Sequence, residues 1–409
     1  MLYFCVSDFP TSVDEIRERV KDAQAIGRAL QPIGGATQLH IGYPPTSPTA
    51  PLPLVGLDKL LDYAPDDMVV IAQAGVTLAA LQEELALNAQ WLPVECALPE
   101  RQTLGGIVST RSSSTLRAGY GSVRDWLIGI EVVGAAGRII RGGGRVVKNV
   151  SGYDLPKLYC GAWGTLGVVT EVAFKVAPIP EASSTILALL SAERNSEEAL
   201  DSLLSDANPV LTTLVNPAAA KILMGADAEP AQYLVVRIDG PTEAVALQAD
   251  HVMASLARYS TAAINLPPNV SGPLLAGIRD FQLGDSTLCA EFHILSSQVG
   301  AFARMIEWTA RRAGFNAAVV ADCRSGVLHA QIDAADADDV PWTKLLPDLI
   351  DKAQRVGGSF VLKRMPASWR EAGVAVWQPM LVDERLTSGI KRALDPAGIF
   401  NPGRFVGGI

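Results

Sequence analysis

A chain of 409 residues is too long for one ordinary hydrophobic core and predicts two domains, with room for a third small element. Its 34 Lys and Arg against 43 Asp and Glu leave a formal charge of -9, which repels a phosphate backbone and argues against nucleic acid as a partner. With 49% hydrophobic and 19% charged residues it reads as a packed globular protein, and no stretch nears the roughly 20 uninterrupted apolar residues of a membrane-spanning helix.

Five cysteines, Cys5, Cys96, Cys160, Cys289 and Cys323, are too dispersed for a CxxC pair or a metal cluster and read as reduced, packed thiols. The first residues, MLYFCVSDFP, lack a basic segment followed by an apolar one, so the expected compartment is the cytoplasm, with any membrane association made through a partner.

Ser12 and Glu15 form a capping box, and Val13, Ile16, Val20 and Ala23 recur at helical spacing, which predicts a helix over Val13 to Ile26 stopped by Gly27. Leu30 to Ile33 is a short strand running into GGATQL, Gly34 to Leu39. A Gly pair there frees the backbone to turn successive N–H groups on an anion, with Thr37 adding a hydroxyl; a plain turn is the other reading. The motif is neither GxGxxG nor a P-loop. Pro44 to Pro53 reads as a surface loop, Leu54 to Leu57 and Met68 to Ala74 as strands, and Val76 to Leu87 as a helix with Leu78, Leu81 and Leu85 on one face.

From Pro99 to Pro180 the chain concentrates Gly, Ser and Thr between β-branched runs. Leu127 to Val133 and Arg138 to Arg141 form a hairpin around Gly134 to Gly137, and Val168 to Val176 is a further strand. Thr103 to Arg111 and Gly161 to Gly167 read as glycine-punctuated loops ahead of strands, which either surround a pyrophosphate with N–H groups or merely permit tight bends. Pro178-Ile179-Pro180 then marks a boundary.

Beyond it, strands at Ser184–Leu190, Leu211–Val215, Tyr233–Ile238, Thr287–Leu295, Ala317–Ala321, Val327–Ile332 and Phe360–Lys363 alternate with helices at Ser196–Leu204, Thr242–Arg258, Val299–Ala313 and Trp342–Arg355. This predicts an antiparallel sheet with helices on one face. A last helix from Glu384 ends at Asp395-Pro396, and AGIFNPGRF follows as a compact turn. The expected division is residues 1–180, 181–375 and a returning tail, 376–409.

Three separated stretches resemble the FAD-linked oxidases that share the flavin domain of vanillyl-alcohol oxidase and p-cresol methylhydroxylase. They are PIGGATQL at Pro32 to Leu39; TLGG at Thr103 to Gly106, with the later GYG and GAWGTLGVVTEV; and DPAGIFNPGR at Asp395 to Arg404. The run KNVSGYDLPKLYCGAWGTLGVVTEVAFKV is most similar to the FAD-binding subunits of bacterial glycolate oxidases. The resemblance implies an α+β fold: a two-part FAD-binding domain, a small α/β piece and a larger mixed-sheet piece, with a cap domain over the isoalloxazine. It implies that Gly34, Gly35, Ala36, Thr37 and Gln38, flanked by Pro32 and Ile33, take the pyrophosphate together with Thr103, Leu104, Gly105, Gly106 and Ser109. Pro99, Gly119, Tyr120, Gly121, Gly164, Gly167, Val168 and Val169 would line the adenine and flavin portions. Ala36 stands where some members attach FAD through a histidine, so FAD is expected to be non-covalent, with His40 an ordinary loop residue.

Oxidising a 2-hydroxy acid needs a base for the hydroxyl, a cation for the carboxylate and the flavin as hydride acceptor. Related D-2-hydroxy-acid dehydrogenases carry H-x-G-x-G-N-x-H, and DCRSGVLHAQI stands in that place with Asp322 for the first histidine and Val327 for the asparagine. Only His329 remains, as a structural histidine or a base. Arg324 and Arg364 either bind a carboxylate or face solvent, and no metal site is expected. The resemblance thus implies an FAD-binding subunit of a glycolate oxidase complex with a second flavin subunit and an iron-sulfur subunit. The alternatives are a self-sufficient FAD-dependent D-2-hydroxy-acid dehydrogenase, such as one for D-lactate, using His329 and Arg324, and a scaffold that kept the fold and lost FAD.

Overall fold

The computed structural model describes residues 9–112, 115–144, 153–191, 196–334, 342–366, 368–369, 373–378 and 384–409; Cys5 and the KNVSG segment, residues 148–152, lie outside them. The architecture is α+β, as the sequence implies, and the chain divides into two compact units.

The first unit comprises Met1–Ser114, Gly121–Ile179 and Pro379–Ile409. Helix α1 (Val13–Ala25) starts where Ser12 accepts from the Glu15 amide at 3.3 Å, and it buries Ile16, Val20 and Ala23. Strand β1 (Ala29–Ile33) pairs in parallel with β2 (Thr49–Pro53), and the two share a core with Leu30, Leu52, Ile399 and Phe400. The prolines explain why β2 reads as a loop in the sequence. Leu54 donates to the Ile33 carbonyl at 2.7 Å, so alternate residues turn their amides to β1, and Pro51 and Pro53 fall on the free edge where no donor is needed. The strand expected at Leu54 to Leu57 is a turn, closed by Leu57 donating to the Leu54 carbonyl at 3.0 Å.

The larger sheet holds β3 (Leu60–Ala64), β4 (Val69–Gln73), β6 (Leu127–Val133), β7 (Ile139–Gly143) and β8 (Val168–Lys175) in the order β3-β4-β8-β6-β7, while β5 (Gln90–Trp91) pairs with β9 (Ala177–Pro178). Its pairings are all antiparallel rather than mixed, whereas β1 pairs in parallel with β2 and, through Leu30, with Phe400. Helices α2 (Leu78–Ala86) and α3 (Leu104–Thr110) cover it, and Leu81, Leu85, Ile107 and Phe174 are buried in the shared core. Each such side chain contributes about 1.5–3 kcal/mol.

The second unit comprises Thr115–Tyr120 and Pro180–Gln378. Its eight strands are β10 (Ala182–Leu190), β11 (Leu211–Val215), β12 (Tyr233–Gly240), β13 (Ser260–Leu266), β14 (Leu288–His293), β15 (Phe315–Asp322), β16 (Val327–Ala334) and β17 (Ser359–Arg364). They form one antiparallel sheet in the order β13-β10-β12-β11-β15-β16-β14-β17. The helix Thr242–Leu256 packs on β10, β12 and β13, and the helix Val299–Arg312 packs on β15 and β16. Among the described residues no helix is long and apolar enough to cross a membrane.

Candidate functional site

Strand β1 delivers the chain into the loop 34–39, and both of its glycines are there because there is no room for a side chain. A Cβ on Gly34 would stand 2.1 Å from the Thr103 hydroxyl, and one on Gly35 would stand 1.6 Å from the Arg101 carbonyl oxygen. Ala36 takes the left-handed conformation, with φ of 58°. Among the described residues, the amides of Gly34, Gly35, Ala36, Thr37 and Gln38 donate to no acceptor. Five consecutive unspent donors, curled by one left-handed residue, make a nest of the kind that takes phosphate oxygens. The left-handed region costs a residue with a Cβ roughly 1 kcal/mol, so Ala36→Gly is expected to stabilise the protein by up to about that amount, read as a higher urea midpoint with flavin content unchanged.

The facing wall is α3, which the sequence reads as a loop because two glycines fall in seven residues. Thr103 caps it, accepting from the Gly106 amide at 3.2 Å, and Gly105 lets the helix sit close on β4, since a Cβ there would lie 2.7 Å from that of Ala74. The first amides of α3 are taken up internally. Leu104 donates to Val76, Gly105 to Ala74 and Ile107 to Thr103, each at 2.8 Å. The nest of the first loop, not α3, therefore supplies the unspent amides. Side-chain bonds join the two walls: Thr37 donates to Gln102 at 3.0 Å, Gln38 donates to Ser112 at 2.8 Å, and Thr110 shares a bond with Ser112 at 2.8 Å.

The tail forms the third side. Buried Asp395 accepts from the amides of Ile399 and Phe400, and from Lys391, which also donates to the carbonyls of Thr165 and Phe400. That clamp sets Phe400 beside Leu30 and presents Asn401 and Arg404. Asn401 donates to the Trp163 carbonyl at 2.9 Å, while its Oδ1 is buried with no partner among the described residues. Arg404 donates from Nη2 to Gln38 at 3.0 Å and to Leu39 at 3.4 Å, and from Nε to Ile41 at 3.3 Å. Its guanidinium lies 5.7 Å from the centre of the Trp163 ring, which stacks on Phe405.

These parts line a cleft that opens to solvent. Of the residues singled out from the sequence, Pro32, Gly34, Gly35, Ala36, Thr37, Gln38, Thr103, Gly105, Gly106, Ser109, Gly164 and Val169 line it. Ile33, Leu104 and Val168 are instead buried in the cores, and Pro99, Gly121 and Gly167 are not among its walls. Val168 and Val169 are neighbours on β8 and point to opposite faces, so only one of them reaches the cleft. Gly119 and Tyr120 belong to the second unit, where the Tyr120 hydroxyl donates to Asp239 at 3.0 Å and burial, then the Asp239 charge, raise its pKa. The sequence reading missed Gln102, Thr110, Trp163, Asn401 and Arg404.

His329 lies in a separate cluster in the second unit. Glu291 on β14 is 5% exposed and accepts from His293 at 2.8 Å and from Lys363 at 3.0 Å, and His329 on β16 places Nδ1 3.6 Å from the same carboxylate. Register makes the cluster, because Glu291 is directly opposite His329. Burial opposes ionisation of Glu291, but the Lys363 charge and then the His293 bond hold it well below the usual carboxylate range. Burial is also the main force lowering His329 to about 4, against the pull of Glu291, so its ring is neutral at pH 7. Its Nδ1 is buried and unpartnered among the described residues. Arg324 is not brought to this cluster: Nη1 donates to the Pro209 carbonyl. Asp322, in place of the first expected histidine, closes the β15–β16 turn by accepting from Ser325 and from the Arg324 amide. Arg364 pairs with exposed Asp285 at 3.0 Å. Among the described residues no group of acidic, His and Cys side chains is arranged for a metal ion.

Residues 6–143 match the FAD binding domain family. The chain is 25% identical to the glycolate oxidase subunit GlcD of Bacillus subtilis (strain 168) across 97% of its own length and 87% of that protein's. It is 34% identical to the glycolate oxidase subunit GlcE of Escherichia coli (strain K12) across 44% of its length, and the match spans about half, 51%, of that protein. Its fold superposes on p-cresol methylhydroxylase with substrate bound at a TM-score of 0.71, with 18% identity, covering 97% of this chain and 87% of that one. The cleft fits the cofactor these matches imply: its unspent amides suit a diphosphate, its glycines leave room for a close approach, and the Asn401 oxygen awaits a donor. The chain carries an FAD binding domain and shares its fold with p-cresol methylhydroxylase.

Proposed function

We propose that this protein is the FAD-binding subunit of a complex that oxidises glycolate, or a close 2-hydroxy acid, to the 2-oxo acid and passes the electrons to partner subunits in the cytoplasm. Residues 1–180 with 376–409 hold the cofactor, and residues 181–375 form the substrate-side domain. FAD, when bound, supplies the acceptor for the two electrons removed from the substrate carbon. The chain's own part is to hold the diphosphate on the loop amides of 34–38 and to close the cleft with the tail.

The observation that carries the subunit role is the state of the second unit's ionisable groups. A hydroxy acid needs a spare cation and a competent base, yet of the cations beside His329 or in the motif that holds it, Lys363 and His293 both serve Glu291 and Arg324 serves a carbonyl, while Arg364 serves Asp285. His329, held neutral down to about pH 4, is a weak base. The two glycolate oxidase relatives, both named as subunits, support the same division, with a second flavin subunit and an iron-sulfur subunit as the partners we propose. One observation favours a self-sufficient D-2-hydroxy-acid dehydrogenase instead: the unpartnered Nδ1 of His329, with the ring in place to accept a proton.

One preparation separates the two. The purified chain is expected to be yellow, to release its flavin on acid precipitation, and to stay oxidised when glycolate or D-lactate is added without oxygen, bleaching only after the partner subunits are supplied. Bleaching of the chain alone would overturn the subunit role, and colourless protein that cannot be loaded with FAD would overturn both readings.

A further inference from the structure

In the second unit, β11 pairs with β15 over a short stretch, Thr213 to Val215 lying against Val320 to Asp322. The chain then leaves the sheet as the helix Pro217–Met224, so Phe315 to Ala318 of β15 have no strand on that side among the described residues. Asn216 patches part of the gap. Its side chain donates to the Ala317 carbonyl at 2.8 Å and accepts from the Val319 amide at 2.9 Å. Backbone groups alternate in direction along a strand, so Ala317, two residues before Val319, turns its amide the same way. That amide meets no acceptor among the described residues, although Ala317 is 7% exposed. A buried amide without a partner is costly, and this one is free to bind a guest.

A cleft of about 490 Å³ follows the open edge, with Lys221 and Ile222 on one helix, Glu307 and Arg311 on the helix Val299–Arg312, and Phe315 and Ala317 between them. Neither Lys221 nor Arg311 forms an ion pair or a side-chain hydrogen bond among the described residues, whereas Arg304, on the same helix as Arg311, takes Glu197 at 2.6 Å. Burial raises the pKa of Glu307, against the pull of Asn216 and Arg311. Asp333, the other carboxylate of the lining, accepts from the Thr287 amide at 2.7 Å and stands opposite Asn316, on the other face of the sheet from Ala317. On the helix side, two cations thus stand against one carboxylate, and an anion balances them. The apolar surfaces of Ile222, Pro230 and Phe315 suit a carbon skeleton more than a bare inorganic ion. We infer that this cleft binds a small organic carboxylic acid, its carboxylate held by Lys221, Arg311 and the Ala317 amide. The site is separate from the Glu291 cluster. Phe292 packs edge-on against Phe302 of the helix Val299–Arg312, so its neighbour Glu291 points to the opposite face.

The test titrates the full chain, as purified, with butyrate in a calorimeter, using butyramide as the neutral match and inorganic phosphate as the bare anion. Butyrate is expected to bind with a Kd of about 1 mM or tighter, and butyramide and phosphate at least about 10-fold more weakly. Lys221→Met and Arg311→Met should each weaken butyrate by about 5- to 20-fold, and the double variant should show no measurable binding. Both cations are exposed, so the variants should melt within about 2 °C of the wild type. Lys21→Met, which removes a cation paired with Glu18 at 2.6 Å in the first unit, should leave butyrate binding unchanged. Flavin content read in the same samples keeps this site apart from the FAD reading, since butyrate should bind whether or not flavin is present. Butyrate that fails to bind, that binds the double variant as well as the wild type, or that is matched by phosphate would overturn the carboxylic-acid site.

Discussion

Gly35→Ala is expected to yield protein without flavin. The added Cβ would sit 1.6 Å from the carbonyl oxygen of Arg101 and 2.6 Å from its carbonyl carbon, and both are backbone atoms that no rotamer change can move aside. That backbone is held in turn: the amides of Arg101 and Gln102 both donate to Leu98 at 2.9 Å, and the next residue caps α3. To make room, either the nest leaves its place or the α3 cap opens, and a lost cap alone costs about 1 kcal/mol. Overpacking adds typically 1–3 kcal/mol, so a drop in FAD affinity of 100-fold or more is expected, with a lower melting temperature for the flavin-free chain. Gly389→Ala is the matched control. It lies in the tail helix Glu384–Leu394, where a Cβ would meet nothing within 4 Å, and it should retain flavin and gain up to about 1 kcal/mol from better helix propensity. The ratio of flavin to protein absorbance in the purified variants reads the result; a Gly35→Ala chain as yellow as wild type would show that the loop does not carry the cofactor.

Parts of this arrangement were legible in the sequence because they depend on neighbours along the chain. The α1 capping box, the leucines of α2 and the strand ahead of Gly34-Gly35 are local patterns, and they read correctly. What failed depended on partners far away. The prolines of β2 suit a strand only because that strand has one neighbour, and the glycines of α3 suit a helix only because Ala74 lies beneath it. Asn401 and Arg404 stood in a recognised tail motif, but their place at the cleft follows from Asp395 and Lys391 folding the chain back on Thr165. The Glu291 cluster draws on three strands, and its one local trace is the alternation of Glu291 and His293 along β14.

Acidification is expected to destabilise the second unit through His329 before it reaches the carboxylates. In the unfolded chain this histidine takes up a proton near pH 6.5, whereas in the fold burial lowers it to about 4. The folded state therefore has its full advantage above pH 6.5 and loses it as the pH falls from 6.5 to about 4, where the unfolded chain binds a proton the folded chain refuses. That gap corresponds to roughly 3 kcal/mol, a large part of the stability of an ordinary domain. Glu291 acts in the same direction at lower pH: its depressed value adds stability above the ordinary carboxylate range, which is lost as the pH falls through the folded value. Urea midpoints measured from pH 7.5 to 4.5, followed by tryptophan fluorescence, should fall steadily for the wild type. His329→Gln should flatten that fall, since a neutral amide has nothing to titrate. Lys363→Met should instead lower the whole curve, by about 3–5 kcal/mol, because it leaves a buried carboxylate without its main cation. A wild-type midpoint that stays level across that range would show that His329 is not held neutral in the fold, and with it would go the argument that this histidine is a weak base.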